Sequence, residues 1–255
     1  CFITRALKSK PTGMRHSRAD SGRPHPFQIE VLYDDDDMIV VNKPAGIVVH
    51  RAPGYQSGTM CDLLLPQYPE IAGVGSEERP GVVHRLDRDT SGVMVFARNK
   101  RAYLALRREF EGHGCVRKTY IAVTHGALKP PTGELRTLIG RKPFDPKRMA
   151  VVDRDGKLAV TRWTVLSRHG ALAMVEFSIE TGRTHQIRVH AAHLGHPIVG
   201  DPLYGDAARD VNVSPRPSRP LLHAVMLSFL HPSTQRPVEF AAEPPPDIVY
   251  VHSRS

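Results

Sequence analysis

One short segment of the chain concentrates side chains that can carry charge or transfer protons. Residues 84–92 contain a histidine, two arginines and two acids, namely His84, Arg85, Asp87, Arg88 and Asp89. Apolar runs flank the segment on both sides, so it must leave the core and expose its charges. A carboxylate there could act in nucleophilic or acid–base chemistry. Most charged loops are solvated ion pairs, however, so this segment alone does not decide between the two.

A second charged segment, residues 181–205, is rich in histidine and contains Arg183. Its histidines raise the alternative of a metal-dependent hydrolase. His190, His193 and His196 recur every third residue, a spacing that drifts around a helix, and Pro197 prevents the helix from continuing. A closed zinc site is therefore disfavoured, and we expect neither a metal nor another cofactor.

Apolar and β-branched runs predict the strands that must position both segments. Turn residues at Asp155-Gly156 and His169-Gly170 predict an antiparallel meander among the later runs. The predicted strands are Phe27–Tyr33, Met38–Lys43, Val93–Ala97, Lys118–Thr124, Met149–Val152, Leu158–Leu166, Ala171–Thr181 and Leu221–Phe229. The pattern predicts an α/β (α+β) fold with a mixed, mainly antiparallel central sheet.

Two longer helices are predicted from their capping residues. Asn99 can cap a helix that ends at Gly112, and Thr184 can cap a short helix that ends at Gly195. Arg183 then lies at the entrance of the second helix. The four aspartates Asp34–Asp37 could suggest a metal site, but we interpret them as a solvated turn between two strands.

Composition limits the class of protein. Lysine and arginine number 35 against 26 acids, a net charge of +9 over 255 residues, which favours a polyanionic partner. Three cysteines without metal-type spacing predict inert thiols in a reducing compartment. Neither a signal peptide nor an apolar run of membrane-spanning length is apparent, so we expect a cytoplasmic protein without a membrane partner.

Residues 1–26 are basic and predict a disordered arm, and residues 27–255 predict one catalytic domain.

Five collinear motifs resemble those of one enzyme family. They are Val41–Gly46, the run His84-Arg85-Leu86-Asp87 with Thr90-Ser91-Gly92, Lys118-Thr119-Tyr120, Gly182–His190, and Leu222-His223-Ala224 with the residues up to Pro232. Together they resemble the RluA-type RNA pseudouridine synthases, most closely the RluD-like branch that modifies large-subunit ribosomal RNA. Long collinear motifs are far more specific than one short pattern.

The resemblance implies a cofactor-free isomerisation of uridine to pseudouridine in structured RNA. It implies that Asp87 is the catalytic aspartate, Tyr120 the active-site tyrosine and Arg183 the arginine paired with Asp87. Arg85 matches the arginine that displaces the target base. A paired arginine suits this chemistry, because it keeps a buried carboxylate charged. The alternatives are a core role for Tyr120, a structural ion pair for Arg183 and a surface ion pair of Arg85 with Asp89.

The resemblance does not identify the RNA. Many RluD-like enzymes carry an S4-type RNA-binding domain ahead of the catalytic domain, and none is evident before Phe27. Ribosomal RNA is favoured and transfer RNA stays open, with a monomer as the expected assembly. A non-catalytic RNA-binding protein is the alternative of another class, and it predicts damage to the site residues. Basic residues Arg141, Lys142, Lys147 and Arg148 form a predicted RNA-facing stripe.

Overall fold

The computed structural model describes residues 28–52, 54–112 and 115–253. The predicted arm at residues 1–26 therefore lies outside the described residues. The strands are β1 Glu30–Asp34, β2 Met38–Lys43, β3 Gly75–Ser76, β4 Arg79–Pro80, β5 Ser91–Ala97, β6 Arg117–His125, β7 Thr132–Lys142, β8 Asp145–Val152, β9 Lys157–His169, β10 Leu172–Ile179, β11 Val213–Ser214, β12 Leu222–Leu230, β13 Pro237–Ala241 and β14 His252–Ser253. The helices are α1 Met60–Leu64, α2 Lys100–Glu111, α3 Gln186–His193, α4 Ala207–Asp210 and α5 Pro246–Val249, with a 3₁₀ turn at Pro69–Gly73. Within these ranges no helix is long and apolar enough to cross a membrane.

Ten strands form one sheet in the order β1-β2-β5-β12-β6-β10-β9-β7-β8, with β13 added beside the second half of β12. The pairing of β5 with β12 is parallel, and every other pairing in this sheet is antiparallel. The predicted mixed, mainly antiparallel sheet is confirmed. The meander of β8, β9 and β10 is only partly as predicted, because β7 lies between β8 and β9.

Apolar side chains cover both faces of the central strands, because successive strand residues point to opposite sides. Ile39 and Val41 of β2 belong to one core cluster, whereas Met38 and Val40 belong to the other. Helices α1 and α3 contribute to the first cluster, and α2 contributes Ala102 and Leu106 to the second. The loops that follow these central strands therefore start from rigid, doubly covered elements.

Local capping determines where α2 lies. The Asn99 side chain accepts a hydrogen bond from the Ala102 amide at 2.8 Å, and the helix ends at Gly112, as predicted. Strands β7 and β13 are not predicted by the sequence pattern. Both alternate polar and apolar residues near the sheet margins, so each lacks the continuous apolar run that marks a central strand.

The four aspartates do not form a simple solvated turn. Asp35 accepts hydrogen bonds from the amides of Asp37 and Met38, and also contacts Tyr33 and His231. Asp37 is buried and accepts hydrogen bonds from Asn99 and Arg101. Two of the four carboxylates thus point inward and join β1 and β2 to α2 and to the end of β12, which corrects the sequence interpretation.

A buried lysine anchors the charged segment that precedes β5. Lys43 is fully buried, and its ammonium donates to the carbonyls of Pro44, Ile47 and Arg88 at 2.8–2.9 Å. The Arg88 carbonyl also accepts from the Gly46 amide at 2.9 Å. Three carbonyl acceptors use all three ammonium protons, so Lys43 holds two loops in one fixed arrangement.

The first residues of β5 approach β12 too closely for a side chain. At Gly92, where φ is +119°, an added Cβ would lie 2.2 Å from the carbonyl oxygen of Ala224. Beside it, the Ser91 hydroxyl hydrogen-bonds Nδ1 of His223 at 2.9 Å. This close contact fixes the end of the charged segment against the middle of the sheet.

We expect Lys43→Met to lower the free energy of unfolding by about 2 kcal/mol or more, because it leaves buried carbonyls without their donor. Burial lowers the pKa of Lys43 from 10.5 to about 7. The unfolded chain therefore binds the proton more tightly between these pH values, and wild-type stability should rise from pH 7 towards pH 10. Urea denaturation across this range measures both effects.

The matched control is Lys157→Met, because Lys157 is exposed on β9. It should change stability by less than about 0.5 kcal/mol and keep the wild-type pH dependence. An Lys43→Met protein as stable as the control would contradict the anchoring role.

Candidate active site

A cleft opens where the segment before β5 faces the loop before α3. It encloses about 540 Å³, including space open to solvent. All four residues proposed from the sequence line it. Its lining comprises Arg85, Leu86, Asp87, Thr90, Tyr120, Ile179, Gly182, Arg183, Thr184, His185, Gln186, Ile187, Arg188 and Leu222.

Asp87 lies in the loop that Lys43 anchors, next to Arg88. The Thr90 amide donates to the Asp87 carbonyl at 3.2 Å, which closes a turn around the carboxylate. Its side chain is 21% exposed, so the carboxylate faces the cleft rather than bulk solvent. Oδ2 of Asp87 accepts a hydrogen bond from Nη1 of Arg188 at 3.2 Å.

Arg188 is held from behind by a second carboxylate. Its Nε and Nη2 donate to the two oxygens of Asp201, each at 2.7 Å, in a bidentate pair. Asp201 also accepts from the amides of Leu203 and Tyr204. Burial alone would lower the pKa of Arg188, but Asp201 and Asp87 raise it above its ordinary value. Arg188 therefore stays charged and presents its remaining edge to Asp87.

Arg183 does not form the ion pair with Asp87 that the sequence predicts. Its Nε donates to the carbonyl of Leu158 at 2.8 Å, on the far side of the loop. Arg188 lies five residues later and takes the predicted place. One signal in the sequence favours Arg188: it follows Ile187 on a short apolar helix, where a buried arginine needs a carboxylate partner.

The start of α3 explains which arginine faces Asp87. Thr184 is exposed and does not cap the helix. The residue at the N-cap position is His185, whose backbone is left-handed with φ at +58°. The Gln186 side chain folds back and accepts from the Arg183 amide at 3.0 Å and from the Thr181 hydroxyl at 2.8 Å. Because each helical residue turns by about 100°, this start directs Arg188 inward and leaves Arg183 outside the helix.

Tyr120 comes from β6 in the middle of the sheet. Its side chain is buried, yet among the described residues no group hydrogen-bonds its hydroxyl, and the residue lines the cleft. Burial, and then the negative charge of Asp87, raise the pKa of Tyr120, so the hydroxyl stays protonated at neutral pH. An ordinary core tyrosine has a satisfied hydroxyl, and this one does not.

Arg85 is exposed at the mouth of the cleft. The alternative ion pair with Asp89 is not formed, because Asp89 accepts two hydrogen bonds from Arg88, both at 2.9 Å. Across the part of the chain that the structure describes, Arg85 has no ion pair. Its guanidinium is therefore available to a ligand.

His185 completes the wall of the cleft and was not proposed from the sequence. Its Nε2 lies 3.8 Å from Oδ2 of Asp87, and its Nδ1 hydrogen-bonds the Tyr204 hydroxyl at 2.8 Å. Burial lowers the pKa of His185, while the charge of Asp87 opposes that shift. A neutral imidazole beside Asp87 leaves Arg188 as the cation that balances the carboxylate.

Two further histidines of the charged segments, His84 and His190, have structural partners. His190 hydrogen-bonds Thr161 through Nδ1 and Thr137 through Nε2. His84 accepts from the Val95 amide and stacks on Phe110, and burial lowers its pKa to about 3. Across residues 28–52, 54–112 and 115–253 no three histidine, cysteine or acidic side chains are grouped as metal ligands.

Comparison with known proteins gives one consistent family. A family described as RNA pseudouridylate synthase matches residues 37–193. An uncharacterized RNA pseudouridine synthase of Chloroflexus aurantiacus is 48% identical over 210 residues, which are 82% of this chain and 64% of that protein. The ribosomal large subunit pseudouridine synthase D of Neisseria meningitidis is 43% identical over 237 residues, 90% of this chain and 62% of that protein. The chain thus spans a little under two thirds of these two relatives.

The fold is similar to a solved human structure. Human RNA pseudouridylate synthase domain containing 1 is 28% identical to the chain, with a TM-score of 0.69 and 93% of each chain covered.

We expect Arg188→Gln to lower the free energy of unfolding by about 3–5 kcal/mol, because it leaves the buried Asp201 carboxylate without its cation. Arg183→Gln is the matched control and should cost less than about 0.5 kcal/mol, since Arg183 pairs with no acid. Chemical denaturation of both variants measures the difference. Equal destabilisation by the two substitutions would contradict the assignment of Arg188 as the buried partner.

Proposed function

The chain belongs to the RNA pseudouridylate synthase family, as its motifs predict, and on that premise we propose that it converts uridine to pseudouridine in structured RNA. The observation that carries this proposal is the cleft in which Asp87 faces Tyr120 while Arg188 holds its charge. One carboxylate, one arginine and one unpaired tyrosine hydroxyl are the groups that a cofactor-free isomerisation requires.

The reaction changes the atom through which the uracil base is attached to the ribose. The bond from ribose C1′ to uracil N1 breaks and a bond from C1′ to uracil C5 forms; C5 loses a proton and N1 gains one. Nothing is oxidised or hydrolysed. Asp87 must be ionised to assist, either by attacking C1′ or by supporting departure of the base.

Arg188 maintains that ionised state. A flipped base that covers Asp87 removes water and would favour protonation of the carboxylate. A charged arginine hydrogen-bonded to Oδ2 opposes this effect and also fixes the direction of the carboxylate. Because Asp201 already binds two nitrogens of Arg188, the guanidinium loses little freedom when substrate enters.

Tyr120 supplies an aromatic surface and a hydroxyl at the same place. We propose that the ring stacks on the target uracil, with the hydroxyl near the sugar. Its raised pKa makes the hydroxyl a hydrogen-bond donor at neutral pH. Contact with a departing base or with the ribose would satisfy a hydroxyl that hydrogen-bonds none of the described residues.

Arg85 is proposed to displace the target base. A uridine in a helix hides C1′ and C5, so the enzyme must extrude it and stabilise the gap. Arg85 lies at the mouth of the cleft without an ion pair among the described residues, and its flat guanidinium suits stacking in that gap. The resemblance and this position support the same role.

Large-subunit ribosomal RNA is the favoured substrate. The support is the 43% identity to the Neisseria relative, which is named a ribosomal large subunit pseudouridine synthase. Transfer RNA is the second candidate, and a monomer is the proposed assembly. The predicted stripe maps to one hairpin, because Arg141 and Lys142 end β7 and the paired strand β8 carries Lys147 and Arg148. A basic hairpin suits an RNA backbone. A non-catalytic RNA-binding protein is disfavoured because the carboxylate, its arginine and the tyrosine are all present.

We expect Asp87→Asn to abolish pseudouridine formation while RNA binding stays within about twofold, since the phosphate contacts lie elsewhere. Chemical mapping of pseudouridine in unmodified large-subunit ribosomal RNA and in transfer RNA transcripts measures activity and identifies the substrate. Asp89→Asn, in the same loop but outside the cleft, is the control and should retain activity. Wild-type turnover by Asp87→Asn would refute the catalytic assignment.

We expect Tyr120→Phe to retain RNA affinity and lose turnover about a hundredfold or more, because only the hydroxyl is removed. Tyr120→Ala also removes the stacking surface and should weaken RNA binding by about 1–3 kcal/mol. Single-turnover kinetics at saturating RNA separate the two effects. Full turnover in Tyr120→Phe would show that the ring alone is needed.

A further inference from the structure

Lys118 is a buried cation for which the described residues provide no hydrogen-bonding partner. It lies on β6, two residues before Tyr120, and is only 9% exposed. Among the described residues no oxygen accepts a hydrogen bond from its ammonium, and the closest favourable contact is the ring of Phe110, whose centroid is 5.2 Å from Nζ. A buried ammonium normally has an acid or several carbonyls around it, as Lys43 does here.

The ammonium faces a second pocket beside the cleft. This pocket is lined by Val83, His84, Arg85, Phe110, Glu111, Gly112, Lys118, Tyr120, Ile179, Glu180, Thr181, Gly182 and Arg183. It shares Arg85, Tyr120, Ile179, Gly182 and Arg183 with the cleft that contains Asp87. The two spaces are therefore neighbours that share Tyr120 as a wall.

The charges around this pocket are mainly positive. Nε of Arg183 donates to the carbonyl of Leu158, and its two terminal nitrogens form no hydrogen bond or ion pair with the described residues. The two acids of the lining are already paired, Glu111 with Arg107 and Glu180 with Arg162. Burial, and then the charge of Arg183, lower the pKa of Lys118 to about 8. A bound anion would relieve this repulsion.

Access to the Lys118 ammonium depends on glycine at position 182, which has no side chain. A Cβ added at Gly182 would lie 3.6 Å from Nζ of Lys118, and nothing else lies within 4 Å of it. A side chain beyond that Cβ would cover the ammonium. Gly182 thus leaves an open path from the cleft mouth to Lys118.

We propose that Lys118 and Arg183, with Arg85 at the rim, form a subsite for one backbone phosphate of the RNA strand whose uridine enters the cleft. The inference rests on the proposed function and adds to it the group that fixes the strand relative to Asp87. A phosphate here satisfies the ammonium and the free edge of Arg183 together. The subsite contacts the phosphate and no base. It therefore positions the strand, and sequence selection depends on other contacts.

The test uses the full chain and a fluorescently labelled nonauridylate, whose uridines need no extrusion from a duplex. Anisotropy gives its affinity between about 50 and 300 mM KCl, where each single-strand phosphate contact contributes about 0.7 to the salt slope. Lys118→Met keeps the aliphatic stem beside Phe110 and removes the charge. We expect it to reduce the slope by about 0.7 and to weaken binding about fivefold at 100 mM salt.

Three further variants make the result specific. Lys118→Arg should restore affinity and slope to within about twofold of wild type, because it restores the charge. Lys100→Met, about 15 Å from Phe110 at the other end of α2, should leave both unchanged. In the double variant Lys118→Met/Arg183→Gln the salt slope should fall by about 0.7, because both residues bind one shared phosphate. A fall of about 1.4 would mean two separate phosphate contacts and would overturn the shared subsite.

The outcome separates this subsite from the proposed reaction. Wild-type affinity and slope in Lys118→Met, with a thermal unfolding curve that matches wild type, would overturn the subsite even if the chain forms pseudouridine. A reduced slope in a chain that forms no pseudouridine would refute the reaction and retain the subsite.

Discussion

The buried chain of charges from Asp201 through Arg188 to Asp87 is the interaction on which the site depends. Three charged side chains lie in a row, and the fully buried Asp201 forms two short hydrogen bonds to the central guanidinium. Removal of these charges from water is costly, and it is tolerated because each group has a partner. The remaining edge of Arg188 then points at one oxygen of Asp87 and leaves the carboxylate open to the cleft.

This arrangement requires two distant segments to be rigid. The loop that carries Asp87 is fixed from below by Lys43 and at its end by the contact between Gly92 and Ala224. The helix that carries Arg188 packs through Ile187 and Ala191 into the first core cluster. Neither segment positions the ion pair alone, because 101 residues separate Asp87 from Arg188.

The cations around the cleft differ in how far the protein satisfies them. Lys43 has an acceptor for each of its three protons, and each nitrogen of Arg188 donates to a carboxylate. Lys118, Arg183 and Arg85 keep donors without hydrogen-bond or ion-pair partners among the described residues, and all three line the same pocket. This division explains how a chain with a net charge of +9 can use some basic residues for stability and others for a polyanion.

The sequence by itself determined the central strands, α2 with its Asn99 cap, and the family, because apolar periodicity, capping and collinear motifs are local properties of the chain. It also identified Asp87, Tyr120, Arg85 and Arg183 as residues of one cleft, although their roles stay predictions. It chose the wrong partner for Asp87 and missed β7, β13 and the inward aspartates. Only the tertiary structure could decide between Arg183 and Arg188. The choice depends on where α3 begins, and a shift of that start by one residue rotates every side chain by about 100°. The left-handed backbone at His185 and the folded-back Gln186 set that start through contacts with β9, a strand more than fifteen residues away in the chain.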